Sequence, residues 1–138
     1  MGVIQHETAY YQSNPAAPVP FTPLPAYGDP TFATCASSPP NCAKTWGLRV
    51  VNSSNIFQYG AGLYSFFDNW DVTACLASVS CQEHMVDLQN SSNVYLWALN
   101  TVGTSYLVSY QDTDVVPQTV NQAAFAQTIA LFELAATE

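Results

Sequence analysis

A repeat constrains this chain more than any other feature. The segment Leu48-Arg49-Val50-Val51-Asn52-Ser53-Ser54-Asn55-Ile56-Phe57-Gln58-Tyr59 is answered by Val86-Asp87-Leu88-Gln89-Asn90-Ser91-Ser92-Asn93-Val94-Tyr95-Leu96-Trp97, with Asn52 and Asn90 at equivalent places 38 residues apart. Both copies read strand, polar corner, strand. Self-similarity at a period of roughly 20 to 50 residues marks stacked architectures, in which each unit buries its apolar face against the next. On either side of Asn-Ser-Ser-Asn the apolar residues alternate, as strands with one inward face require. The corner suits a sharp turn, because Asn and Ser side chains bond nearby backbone groups and Asn tolerates left-handed conformations. A parallel β-helix turns its chain in this way at every coil, so the expected fold is all-β, a short parallel β-helix fragment of few coils.

The rest of the chain is read against that stack. An insertion from Phe66 to Gln82 separates the copies and carries a loop between Cys75 and Cys81. Ser105 to Tyr110 reads as a further strand. Asn121 to Leu134 carries two signals: Asn121 is placed to cap a short helix through Ala126, whereas Thr128-Ile129-Ala130-Leu131-Phe132 reads as a strand closing the stack. The segment from Ser13 to Pro40 holds Pro15, Pro18, Pro20, Pro23, Pro25, Pro30, Pro39 and Pro40, which removes the backbone donors that a helix or central strand needs. It is expected to run as an extended surface loop anchored by Phe21, Leu24, Tyr27 and Phe32. The organisation expected is one domain over 1–138: a first strand or loop over 1–12, the Pro-rich loop over 13–45, and the coils over 46–138.

Composition supports a core and excludes several partners. Of the 138 residues 49% are apolar, enough for a real core. Only 9% are charged, against about 25% in an average soluble protein, a balance that suits a secreted β-rich chain. Lys44 and Arg49 are the sole cationic side chains beside the two histidines, and the net charge is −8. Nucleic acid and anionic membranes, which need clustered Lys and Arg, are excluded as partners. No apolar run reaches the roughly 18 residues of a membrane-spanning helix, and the first residues lack the basic and apolar regions of a signal peptide.

The four cysteines fall into two close sets, Cys35 with Cys42 and Cys75 with Cys81. Neither CxxC nor a Cys/His set of zinc spacing occurs, so no metal site and no cofactor is expected. Two local disulfides are the preferred reading, each worth about 2 kcal/mol because short loops lose little chain entropy on closure. Buried free thiols are the alternative, and pairing across the sets stays open, since spacing does not determine connectivity.

Several blocks in order resemble the C-terminal region of fungal exo-β-1,3-glucanases of glycoside hydrolase family 55: Trp46 to Asn55, Tyr59-Gly60-Ala61-Gly62-Leu63-Tyr64-Ser65-Phe66-Phe67-Asp68-Asn69, Asn90 to Tyr95, and Leu99-Asn100-Thr101-Val102-Gly103-Thr104. The resemblance runs from Gly2 to about Phe132. It implies a secreted enzyme of two tandem right-handed β-helices that releases glucose from the non-reducing end of β-1,3-glucan with inversion, its active site in the cleft between them. This chain then corresponds to the last coils of the second helix, without the first.

Inverting hydrolysis needs a carboxylic acid to protonate the leaving oxygen and a base to activate water, about 6.5 to 9.5 Å apart. The block Gln5-His6-Glu7-Thr8-Ala9-Tyr10-Tyr11-Gln12 resembles the family's segment around its proposed acid, which puts that role on Glu7; Ala9 stands where many relatives have proline. By residue type alone Glu7 is a solvated charge. A general acid also needs a water-poor pocket that raises its pKa, and with half of the cleft absent the isolated chain is expected not to hydrolyse glucan. His6 and His84 lie in unrelated segments and read as surface or loop packing, and the spacing of Asp68, Asp71 and Asp87 identifies no acid/base pair.

Sugar rings stack on exposed aromatic faces, while rings also fill cores. Tyr10, Tyr11, Phe66, Phe67 and Trp70, on loop-like segments, are the candidate substrate contacts, with loop anchoring as the bland reading. Asn52-Ser53-Ser54 and Asn90-Ser91-Ser92 are glycosylation sequons whose turn role already accounts for them. Two functions follow: a portion of a secreted β-1,3-glucan hydrolase, or a small secreted fungal protein that keeps the scaffold for a binding or immunomodulatory role. In either case an exposed stack end favours self-association into a homo-oligomer.

Overall fold

The computed structural model describes residues 24–27, 46–65, 75, 77–123 and 126–135. Eight strands run in chain order: β1 (Leu48–Val51), β2 (Ser54–Tyr64), β3 (Gln82–Gln89), β4 (Ser92–Val102), β5 (Thr104–Tyr110), β6 (Thr113–Pro117), β7 (Gln122–Ala123) and β8 (Ala126–Leu134). The fold is all-β, with short 3-10 turns at Pro25–Tyr27 and Gln118–Val120. The strands form two four-stranded sheets, ordered β1-β3-β5-β6 and β2-β4-β8-β7.

The repeat in the sequence is the register of these sheets. β1 lies parallel to β3 with Leu48 opposite Val86 and Val51 opposite Gln89. β2 lies parallel to β4 with Ser54 opposite Ser92 and Tyr64 opposite Val102. The same offset of 38 residues thus governs both sheets, and side-chain bonds bridge it directly. Identical chemistry ends up stacked because the second copy repeats the first one's alternation of inward and outward residues.

The corners explain how one chain serves two sheets. Asn52, Asn55, Asn90 and Asn93 all hold left-handed backbones, with φ of 50°, 59°, 48° and 53°, the conformation that Asn accepts at lower cost than most residues. Ser53 Oγ donates to the Val51 carbonyl at 2.8 Å and Ser91 Oγ to the Gln89 carbonyl at 2.9 Å, the same local bond in each copy. The Ser53 N–H donates to Ser91 Oγ at 3.3 Å, and Asn93 Nδ2 donates to Asn55 Oδ1. The corner is therefore a polar ladder in which each copy satisfies the other.

A second bend sits inside the long strands. Gly60 and Ala98, again equivalent, have φ of 65° and 52°. There the strict alternation slips by one: Val94 and Leu96 are buried before Ala98, and Leu99 and Thr101 after it. Each of β2 and β4 consequently changes, at this residue, which of its alternate side chains face the core.

The last strands depart from the parallel pattern. β5 continues it on β3, pairing Gln82 with Thr104 and Val86 with Val108, but β6 returns antiparallel to β5 and β8 lies antiparallel on β4. In the segment Asn121 to Leu134, which carried both helix and strand signals, Gln122–Ala123 and Ala126–Leu134 are strand. The core runs between the sheets through Val50, Leu63, Val86, Leu88, Val94, Leu96, Leu99, Val108 and Ile129.

Only Gly103 separates β4 from β5. Its φ is 82°, and a Cβ there would stand 1.9 Å from the Ser65 carbonyl oxygen. Its own carbonyl accepts the Gln82 N–H at 3.1 Å. Beside it, Cys75 and Cys81 form a disulfide, as the local pairing anticipated; Cys35 and Cys42 lie outside the described residues. The Pro-rich loop corrects one expectation. Leu24 and Tyr27, expected to anchor it, are exposed, and the described turn at Pro25–Tyr27 is closed by the Tyr27 N–H donating to the Leu24 carbonyl at 2.9 Å. Phe21 and Phe32 lie outside the described residues.

Candidate functional site

Two surfaces of the described residues concentrate chemistry. The first is the outward face of β2, β4 and β8. Alternation before the Gly60/Ala98 bend points Ile56, Val94 and Leu96 to the core side and leaves Phe57, Tyr59 and Trp97 outside, with 53%, 65% and 51% of their surface exposed. Pairing stacks these side chains into two rows: Phe57, Tyr95 and Glu133 in one, Tyr59, Trp97 and Leu131 in the next. The rings of Phe57 and Tyr95 are 5.0 Å apart and tilted by 5°, a stacked pair. Tyr95 donates its hydroxyl to Glu133 Oε1 at 3.1 Å. That bond first, then desolvation and the carboxylate's charge, raises the Tyr95 pKa above the ordinary 10.0, so the phenol stays neutral.

The borders of this face are neutral and polar. At one end stands the Asn55–Asn93 rung. At the other, the outward row Gly62, Asn100 and Thr128 carries a bond from Thr128 Oγ1 to Asn100 Oδ1 at 2.9 Å. Aromatic faces edged by amides and hydroxyls offer stacking in the middle and hydrogen bonds at the rim.

The second surface lies on the other sheet. Asp87 is buried and accepts from Arg49 Nε at 3.0 Å, Gln89 Nε2 at 2.8 Å and Ser109 Oγ at 3.3 Å, while the Arg49 guanidinium also lies 4.8 Å from the Trp46 ring centroid. A carboxylate so fully bonded is a structural ion pair, consistent with its failure to pair with an acid or base by spacing. Nearby, His84 Nε2 meets Asp114 Oδ1 at 2.6 Å and its ring packs on Tyr106. The Asp114 charge leads the causes that raise the Tyr106 pKa above 10.0, followed by desolvation, a bond to Asp114 and the charge of Glu83. Glu83 Oε2 is buried without a hydrogen-bond partner. His84 and Asp114 thus satisfy one another, and among the described residues no set of three or more His, Cys, Asp or Glu converges as metal ligands. Nor is any helix among them long and apolar enough to cross a membrane.

Of the residues singled out by sequence, Asn52 and Asn90 stand exposed at equivalent corners, and His84 packs as described. Glu7, Tyr10, Tyr11, Phe66, Phe67 and Trp70, with His6, Asp68 and Asp71, lie outside the described residues. The aromatic face was not anticipated. The signal for it is present, since Phe57 and Tyr95 hold the same repeat position, as do Tyr59 and Trp97, but apolar letters within a strand do not declare which side faces water.

Comparison with known proteins gives three relatives, all fungal. The chain is 45% identical over 132 residues to a probable glucan endo-1,3-beta-glucosidase of Arthroderma benhamiae, 34% identical over 133 residues to a glucan 1,3-beta-glucosidase of Cochliobolus carbonum, and 30% identical over 129 residues to a protein of Penicillium expansum named non-secreted LysM effector LysM15. These matches cover 96%, 93% and 94% of this chain but 15%, 16% and 8% of the relatives. No protein-family model matches. Over nearly its whole length the chain is thus related to a segment of much longer glucanases.

Proposed function

We propose that this chain is the C-terminal, right-handed parallel β-helix portion of a secreted fungal exo-β-1,3-glucanase of glycoside hydrolase family 55. The observation that carries the reading is the constant register of 38 residues in two sheets at once, the arrangement produced when a chain coils about one axis and each coil lies parallel on the last. Its arms, 48–51, 54–59 and 61–64, are the three sides of one coil. The names of the two glucosidase relatives supply the substrate class, β-1,3-glucan. The Cys75–Cys81 bond fits an oxidising, extracellular location.

In this reading Glu7 is the general acid of the longer enzyme, and the segment alone does not turn over, because a carboxylic acid outside a closed, water-poor cleft keeps too little of the proton-donating form at neutral pH. The edges that β1 and β2 present among the described residues favour self-association, so the isolated segment is expected to form a homo-oligomer. Glucose release from laminarin, measured on this chain beside the full-length enzyme, tests the assignment. The expected result is activity in the longer protein, lost by Glu7→Gln, and none in the segment; turnover by the segment alone contradicts it. A second reading, a stand-alone protein with a binding or immunomodulatory role, draws on the relative named as a LysM effector. It predicts glucan binding by this chain with no activity in any longer form.

A further inference from the structure

We propose that the outward face of β2, β4 and β8, built on Phe57, Tyr59, Tyr95 and Trp97, is a stacking platform for a β-1,3-linked glucan chain; the linkage rests on the glucanase reading above, whereas the site does not. Single exposed apolar residues are ordinary on protein surfaces. Here the aromatic residues share one face and fall into in-register rows across neighbouring strands, so the sheet itself holds them level.

The shape of the strip selects a linear occupant. It is two outward positions wide, about 6.8 Å along the strand, and three strands deep at about 4.8 Å each. That is far below the roughly 800 Å² per partner of a stable protein interface, which argues against a second copy of the chain as the main occupant. It is sufficient for roughly two sugar rings lying along the stack.

Charge selects a neutral one. Arg49 is engaged by Asp87 on the other sheet, so among the described residues no Lys or Arg meets an anionic polymer here. Glu133 is the charged group in the two rows, and it is already bonded to Tyr95. What remains is complementary to a pyranose: ring faces for its C–H surface, and the Asn55–Asn93 and Asn100–Thr128 rungs for its equatorial hydroxyls.

Retention on insoluble β-1,3-glucan (curdlan) and calorimetric titration with laminarihexaose test the platform, using this chain with Tyr59→Ala, Trp97→Ala and, off the face, Val115→Ala. Wild type and Val115→Ala are expected to bind alike, and each aromatic substitution to weaken binding roughly tenfold, as loss of one well-stacked ring implies. Melting temperature checks that each variant is folded; Tyr59, on the outer strand and the more exposed, is the variant expected to leave it unchanged. Equal binding by wild type and both folded aromatic variants overturns the platform and leaves the glucanase reading standing. Failure of wild type to bind either probe also overturns it, while laminarin hydrolysis by the longer protein still decides the glucanase reading. A wild-type dimer that Trp97→Ala dissociates, with no glucan retention, overturns it in favour of a second copy.

Discussion

The two copies of the repeat carry nearly the same sequence pattern and bury it differently. In the second, Val86, Leu88, Val94 and Leu96 are fully excluded from water. Their register partners in the first, Leu48, Val50, Ile56 and Gln58, are half-buried except for Val50. For Leu48 against Val86 and Ile56 against Val94, apolar in both copies, hydrophobicity does not explain the gap. β3 and β4 are flanked on both sides, by β1 and β5 and by β2 and β8, whereas β1 and β2 each lie at one edge of their sheet among the described residues. Burial here is set by position in the sheets: among the described residues the first copy packs on one neighbouring strand in each sheet and the second on two.

Isomeric side chains give the sharpest attack on that comparison. Leu96→Ala removes the same number of carbons as Ile56→Ala, yet is expected to cost about 3–4 kcal/mol against about 1–2 kcal/mol, since only the first leaves a cavity closed on both sides. Denaturant unfolding of both variants measures the difference; equal losses would mean that the two copies of the repeat are equally supported. Next in size is a pair of glycines. Gly103→Ala is expected to lose about 3 kcal/mol, because it combines a left-handed backbone with a collision against the Ser65 carbonyl. Gly60→Ala, with nothing within 4 Å of the added Cβ, is expected to lose only about 1 kcal/mol, the strain that Ala98 already bears at the equivalent place.

The smallest effect is alkaline. Tyr95 and Tyr106 both have pKa values raised above 10.0, so the folded state prefers the neutral phenols. Their stabilising contribution is complete below the unfolded value and is lost as pH rises through the raised ones. Ultraviolet titration of the phenols is expected to show Tyr95 ionising late in the wild type and nearer 10.0 in Glu133→Gln, with Tyr106 unmoved.

Much of this architecture was legible in the sequence because its key signal is polar. Asn-Ser-Ser-Asn appears twice and its Asn residues accept φ near 50°, so the corners, and with them the offset of 38, stand out from the letters alone. The bend at Gly60 and Ala98 did not stand out, because alanine carries no turn signal, and that slip of phase decides which residues face the core. The aromatic face was missed for a related reason. The sequence places candidate sugar contacts on loop-like segments, at Tyr10, Tyr11, Phe66, Phe67 and Trp70, whereas Phe57, Tyr59 and Trp97 sit on the odd side of their strands and face water. The antiparallel return of β6 and β8 depends on what remains to be covered at the end of a stack, a property of the assembled sheets and not of the local sequence.

Coiling itself is most directly tested by cross-strand nuclear Overhauser contacts between backbone protons in the isotope-labelled protein. The account predicts contacts at a constant separation of 38 residues in both sheets, Val50 with Leu88, Ile56 with Val94 and Gly62 with Asn100. Contacts between β2 and β4 whose separation changes steadily along the strand, the mark of antiparallel pairing, would contradict it.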